Sequence, residues 1–366
     1  MKPTGVEDYP NSQAKAGSGG SRFRLSLILA LSAFAALLSS QILCWQDVEP
    51  IPQYFYIIAW YSYIFIVDHL VYRKTRSSLI MNRPGEFGVM LIWSTGFWTI
   101  FEAINLRIAN WVYVDVEPWT FLRYGLGVIS FATVLPGIFE TADLLEGYGV
   151  FRRMAGRIFR VGRSLLWIFA VAGIFSLVLP MVWPRYFFPL VWGAFIFLLE
   201  PINYLVKSPD SLLIRISRGS LAKVLQLLAA GLICGVVWEF FNFWAHAKWE
   251  YTVPFVGHWK IFEMPVLGFL GFPPFAVECW IMYASVLVLK DRLVRRLGRL
   301  GGVLYFGSAL IVTGLLVSIV FPLADTKSVK SFRTRSKVEY RGPVLHPELA
   351  VRKFEDFSLP RPFLEE

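Results

Sequence analysis

Runs of about 20 apolar residues alternate with short polar stretches along most of the chain, the length at which a helix crosses the hydrocarbon core of a bilayer. They fall at Leu25–Trp45, Tyr54–Tyr72, Phe87–Leu106, Val128–Val150, Ser164–Trp183, Tyr186–Val206, Leu221–Phe243, Leu267–Leu289 and Val303–Leu323. The pattern predicts an all-α, polytopic membrane helix bundle of about nine transmembrane helices. The stretches before the fourth and eighth runs, Pro118–Gly127 and Val256–Val266, are also fairly apolar. Each combined stretch is too long for one span and too short for two. An interfacial or re-entrant piece followed by a helix is expected there. The first run lacks a small-residue cleavage pattern and is read as a span rather than a removed leader.

The polar and aromatic positions repeat. Phe65, Asp68 and Tyr72 match Phe197, Glu200 and Tyr204 at an offset of 132. Glu102 and Asn105 match Glu239 and Asn242 at 137, and Trp111, Tyr113, Phe131, Pro136 and Glu140 match Trp249, Tyr251, Phe269, Pro274 and Glu278 at 138. The offset only grows, as small loop insertions require. Tyr54–Gly147 and Tyr186–Ser285 therefore read as two parallel four-helix repeats plus one extra helix. An even number of spans gives both copies one orientation, with a pseudo-two-fold axis along the membrane normal. The expected organisation is a segment 1–24, a first repeat over 25–150, a second over 151–290, a ninth helix over 300–323 and a polar tail over 324–366.

Composition agrees with a membrane protein. Of 366 residues, 56% are hydrophobic, and aromatics equal charged residues at 17% each; the mean hydropathy is +0.54. A soluble domain carries about 25% charged residues. The net charge of +10 does not call for nucleic acid, because the bases lie in alternate loops. Segments 1–24, 73–86, 151–163, 207–223 and 290–299 hold four or five Lys/Arg each, whereas the intervening loops hold Arg107, Arg185, Lys248 and Lys260. Positive loops face the cytoplasm, which places the N-terminus there and the tail on the opposite side of a cell membrane. The tail, with nine Lys/Arg and four prolines, is expected to hold little regular structure.

Three carboxylates recur, one per copy. Asp68/Glu200 sit near the basic end of a span, where a snorkelling pair with Arg73 or Lys207 explains them without function. Glu102/Glu239 belong to an E-x-x-N pattern that puts Asn105/Asn242 on the same helical face. Glu140/Glu278 follow Pro136/Pro274 by four residues, and these prolines are expected to start or break a helix within the membrane. An acidic residue in a span costs about 3 kcal/mol or more, so it faces the interior and has a task. Holding helices together is one such task. Proton donation from an apolar pocket is another. Trp111/Tyr113 and Trp249/Tyr251 read as interfacial anchors. Cys44, Cys234 and Cys279, and His69, His246, His258 and His346, have no metal-ligand spacing, and no disulfide, metal or cofactor is called for.

The duplicated four-helix unit, its helix carboxylate, its W-x-Y step and a Pro followed closely by Glu resemble the small membrane lycopene cyclases and related carotenoid-modifying proteins. The resemblance covers Tyr54–Gly147 and Tyr186–Ser285. In that family the motif is P-x-E-E, whereas this chain has Pro136-Gly-Ile-Phe-Glu140 and Pro274-Phe-Ala-Val-Glu278. What it implies is redox-neutral acid chemistry, cyclisation or hydration, on an isoprenoid or carotenoid-like lipid. Glu102, Glu239, Glu140 and Glu278 would donate protons or stabilise a cation, with Asn105 and Asn242 orienting them. The partners implied are an apolar lipid or isoprenoid substrate and the surrounding membrane lipid. Two alternatives stay open at this point: a lipid or small-solute transporter, and a non-catalytic scaffold whose carboxylates are structural.

Overall fold

The structure is a computed structural model that describes residues 18–257 and 259–330. The segment before residue 18, His258, and the tail beyond residue 330 with His346 lie outside the described residues. Nine helices among the described residues are long and apolar enough to cross a membrane. The chain is an integral, multi-pass helical bundle.

The elements run α1 Ser18–Trp45, α2 Ile51–Thr75, the short α3 Leu79–Asn82, α4 Pro84–Ile108, β1 Trp111–Val114, α5 Thr120–Phe131 and α6 Val134–Gly147. Next come α7 Arg163–Val182, α8 Pro184–Phe187, a 3-10 turn over Phe188–Gly193, α9 Ala194–Leu205, α10 Leu212–Ser217 and α11 Ala222–Trp244. The rest is β2 Lys248–Tyr251, β3 Lys260–Ile261, β4 Met264–Pro265, a 3-10 turn over Val266–Gly271, α12 Phe272–Leu297 and α13 Arg299–Asp325.

Local sequence accounts for the breaks. The fourth span divides at Ala132–Thr133 into α5 and α6, and Pro136 falls in the first turn of α6. Pro273 and Pro274 likewise open α12, where a missing N–H costs nothing. Among its described residues, Val256–Val266 forms no re-entrant helix; it builds the β3–β4 hairpin and leads into the 3-10 turn. One break was not foreseen. The run Tyr186–Val206 is not one helix, because Pro184 and Pro189 lack donors and Trp192 leaves helical geometry at φ −78°, ψ 19°.

The bundle has two distinct ends. At one end β1 and β2 pair antiparallel, with Trp111 opposite Tyr251 and Tyr113 opposite Trp249. The C-terminal end of α13 lies here too, because Val329 N donates to Tyr113 O at 2.8 Å. At the other end, formed by the basic loops, Ser26 of α1 bonds His69 of α2 at 3.0 Å. The first and last described helices therefore start and finish at opposite ends. The interior between them is aromatic. Trp60 packs on Trp238 with centroids 5.1 Å apart, and Trp192 packs on Phe101 at 5.6 Å. Gly137 admits this packing: a Cβ there would lie 2.8 Å from Trp60.

Candidate functional site: a carboxylate at an aromatic cavity

The strand end is built around one asparagine in each of two helices. Asn105 of α4 donates from Nδ2 to Trp111 O at 2.8 Å, and its Oδ1 accepts from Asn110 N at 2.8 Å. Asn242 of α11 donates to Trp249 O and accepts from Trp249 N, both at 2.9 Å. Each asparagine thus supplies the backbone of the following strand with the partners a buried chain requires. Asn105 and Asn242 were expected to orient the glutamates, and the structure places them on the strand backbones rather than on the carboxyl groups. They hold the strands, and the strands hold the glutamates.

Glu102 is buried on α4, one turn before Asn105. Its Oε1 accepts from Trp98 Nε1 at 2.9 Å, Trp111 Nε1 at 3.0 Å and Tyr113 OH at 2.6 Å. Its Oε2 takes no part in these bonds. Three neutral donors on one oxygen fix the carboxyl plane. On α11, Glu239 Oε1 accepts from Tyr251 OH at 2.8 Å, and that phenol accepts from Trp249 Nε1 at 2.8 Å. Glu239 Oε2 is buried without a partner. Burial first, and then the adjacent carboxylates, push the Tyr113 and Tyr251 phenols well above their usual 10.0, so both remain donors. Of the residues expected as interfacial anchors, Trp111 and Tyr113 bond Glu102, Tyr251 bonds Glu239, and Trp249 bonds the Tyr251 phenol.

A cavity of about 700 Å³ adjoins this assembly. Glu102 lines it together with Trp98, Trp111, Tyr113, Trp192 and Phe275. Its wall also includes Leu190, Leu267 and Leu270, the last two 60% and 70% exposed on the apolar flank of the bundle. The cavity is within the usual range for a small-molecule site, apolar with a few placed polar groups. Near its rim Arg123 grips Asp325 through two bonds of 2.7 Å, Nε to Oδ1 and Nη2 to Oδ2. Lys248 and Glu263 form a buried ion pair behind the β1–β2 arch.

The four glutamates do not converge on this cavity. Glu102 lines it, and Glu239 lies behind Tyr251, which does. Glu278 is elsewhere: its Oε1 accepts from Phe195 N at 2.7 Å, in the first turn of α9. It caps a helix that restarts inside the membrane, where orphan donors and the helix dipole favour a carboxylate. Glu140 is buried on α6 beside the carboxyl groups of Asp68 and Asp143.

Asp68 and Glu200 are corrected as well. Both are buried and neither pairs with Arg73 or Lys207 among the described residues. Asp68 accepts from Ser78 Oγ at 3.0 Å and Ile80 N at 2.8 Å. Glu200 accepts from Ser211 Oγ and Leu213 N, both at 2.6 Å. Each anchors the short helix that follows it, α3 or α10, through bonds to its N-cap hydroxyl and a first-turn N–H, one of the orphan donors of a helix start.

Four features escaped sequence reasoning. Trp98 stands four residues before Glu102, the i, i+4 spacing that brings side chains together, and was readable on that basis. Trp192 and Arg123–Asp325 meet the site only through tertiary packing. His246 lies between Asp47 Oδ1 at 2.7 Å and Glu49 Oε1 at 3.2 Å, three groups within 4.8 Å of one another that helical spacing could not reveal. The three cysteines are free and buried. No protein-family model, no curated protein and no solved structure matches the chain.

Proposed function

We propose that this protein is a membrane enzyme that modifies an apolar, isoprenoid-like molecule by acid catalysis, with Glu102 as the proton donor. The observation that carries the reading is the pairing of a fixed carboxyl group with an aromatic cavity. Glu102 Oε1 is held by Trp98, Trp111 and Tyr113, and the residue faces a chamber lined by further rings.

The chemistry is redox-neutral and balances on this chain's own groups. The Glu102 O–H bond breaks, and its proton forms a C–H bond at one carbon of a terminal alkene. The other carbon becomes a tertiary cation. A neighbouring double bond closes a ring on that cation, or water adds to it. The proton then lost returns to the carboxylate, so the sum is isomerisation or hydration. Indole and phenyl faces stabilise a cation in a dry site by about 2 kcal/mol each. The three neutral donors receive the carboxylate formed in the transfer, as charge stabilisation at a reacting group requires.

The two-fold correspondence supports the duplicated architecture inferred from the sequence. The Asn–strand–Glu arrangement recurs at α4–β1 and α11–β2. The helix-anchoring carboxylate recurs at Asp68 and Glu200. The contacts Trp60–Trp238 and Trp192–Phe101 exchange under the same offsets. With the basic loops taken as cytoplasmic, the cavity belongs to the opposite leaflet of a cell membrane.

The test uses lycopene, an acyclic polyene, incubated in D₂O with membranes holding the full chain. The reading expects a product carrying deuterium on carbon, and its loss in Glu102→Gln with Glu140→Gln still active. Equal deuterium incorporation with and without Glu102 would overturn it. A water-filled path joining both ends of the bundle would instead favour transport.

A further inference from the structure

Beside the glutamates the two halves differ at a pair of facing positions. At the offset that relates Glu102 to Glu239, Trp98 corresponds to Gly235. At the offset that relates Pro136 to Pro274, Val134 corresponds to Phe272. The bulky ring has moved from the glutamate's own helix to the facing one. A Cβ at Gly235 would overlap the Phe272 ring, so Phe272 fills the space that a tryptophan on α11 would take. Its ring also stacks on Trp238 with centroids 5.9 Å apart and an interplanar angle of 29°.

The exchange has two consequences. A phenyl ring donates no hydrogen bond, so Glu239 lacks a counterpart of the Trp98 donor that Glu102 has, and Trp249 donates to the Tyr251 phenol, which in turn bonds Glu239. Phe272 and Trp238 also form part of the cavity wall, and Glu239 does not line that cavity. Glu239 is wholly buried, with Oε2 unpartnered.

We infer that Phe272, seated against Gly235, closes the second of two equivalent sites, so the protein engages one end of an elongated apolar molecule through Glu102 alone. This rests on the proposed function and narrows it, because the symmetric scaffold becomes a one-sided site. Phe272 is the residue that sets the specificity, and Trp98 is its counterpart on the open side.

The probe is dicyclohexylcarbodiimide, a lipid-soluble reagent that adds to a protonated carboxyl group with no leaving group and ends as a stable acylurea. Labelling of the full-length protein in bilayers is followed by peptide mass spectrometry. Glu102 is expected to label about 100-fold faster than Glu239, since a sealed group reacts only through local opening. Phe272→Ala is expected to bring Glu239 labelling to within about tenfold of Glu102, and Phe272→Leu to fall between. A thermal melt of each variant reports whether it is folded. Similar rates at Glu102 and Glu239 in the native protein would overturn the inference and leave the proposed function standing. So would a folded Phe272→Ala in which Glu239 stays protected. No labelling of Glu102 would remove the proposed function itself, since its donor would then be out of reach of the lipid phase or hold no proton.

Discussion

The strand end and the basic end of the bundle each bury a pair of carboxylates, and they treat them differently. At the basic end Asp68 and Glu200 accept from a serine hydroxyl and a backbone N–H apiece. Those donors belong to the first turns of α3 and α10, so each carboxylate tethers one helix to the next. At the strand end Glu102 and Glu239 accept from indole and phenol groups. A backbone donor commits its acceptor to the fold. A side-chain donor on a strand beside a cavity leaves the acceptor able to change charge without unfolding a helix. Both ends bury carboxylates, and what separates them is the kind of donor each carboxylate meets.

That contrast can be broken in four ways. Glu102→Gln keeps the shape and removes the acid, so polyene turnover falls by about 100-fold or more, while the melting temperature moves little; assays in D₂O and a thermal scan on the same sample check both. Asp68→Ala should do the reverse. It strips two donors of their acceptor at a buried site and costs about 3 kcal/mol of stability, read as a lowered melting temperature with residual turnover per folded molecule preserved. Asn105→Ala should fall between these two. Losing the bonds that pin β1 costs about 2 kcal/mol and also lowers turnover, whereas Asn242→Ala has the stability cost alone, because its glutamate is closed off. The smallest effect belongs to Arg73→Ala, which should change stability by no more than about 0.5 kcal/mol, since Asp68 is held by Ser78 and Ile80. A large effect there would restore the snorkelling pair.

Much of this was legible in the chain. The nine apolar runs coincide with nine candidate spans among the described residues, two of them broken, because length and hydropathy select a span in a bilayer. Glu102, Asn105, Trp111 and Tyr113 were singled out by recurrence, and the structure brings them together at β1. Their division of labour was not legible. An asparagine three residues from a glutamate shares its helical face, yet nothing in that spacing says that its partner is a strand backbone. Trp111 and Tyr113 suit an interface by composition, and only the β1–β2 pairing turns them inward onto Glu102. The role of Glu278 depended on a helix break at Trp192, set by a Pro-Arg-Tyr-Phe-Phe-Pro stretch inside an otherwise continuous apolar run. Phe272 facing Gly235 is a contact between distant helices, and no local pattern encodes it.

The central claim is that Glu102 meets an apolar molecule in the aromatic cavity. The most direct measurement is a cryo-electron microscopy structure of the full chain in nanodiscs loaded with lycopene. The account predicts elongated density in the chamber between Trp98, Trp192 and Phe275, with one terminal double bond in van der Waals contact with the Glu102 carboxyl. A chamber empty of polyene and joined by ordered water to both ends of the bundle would contradict it.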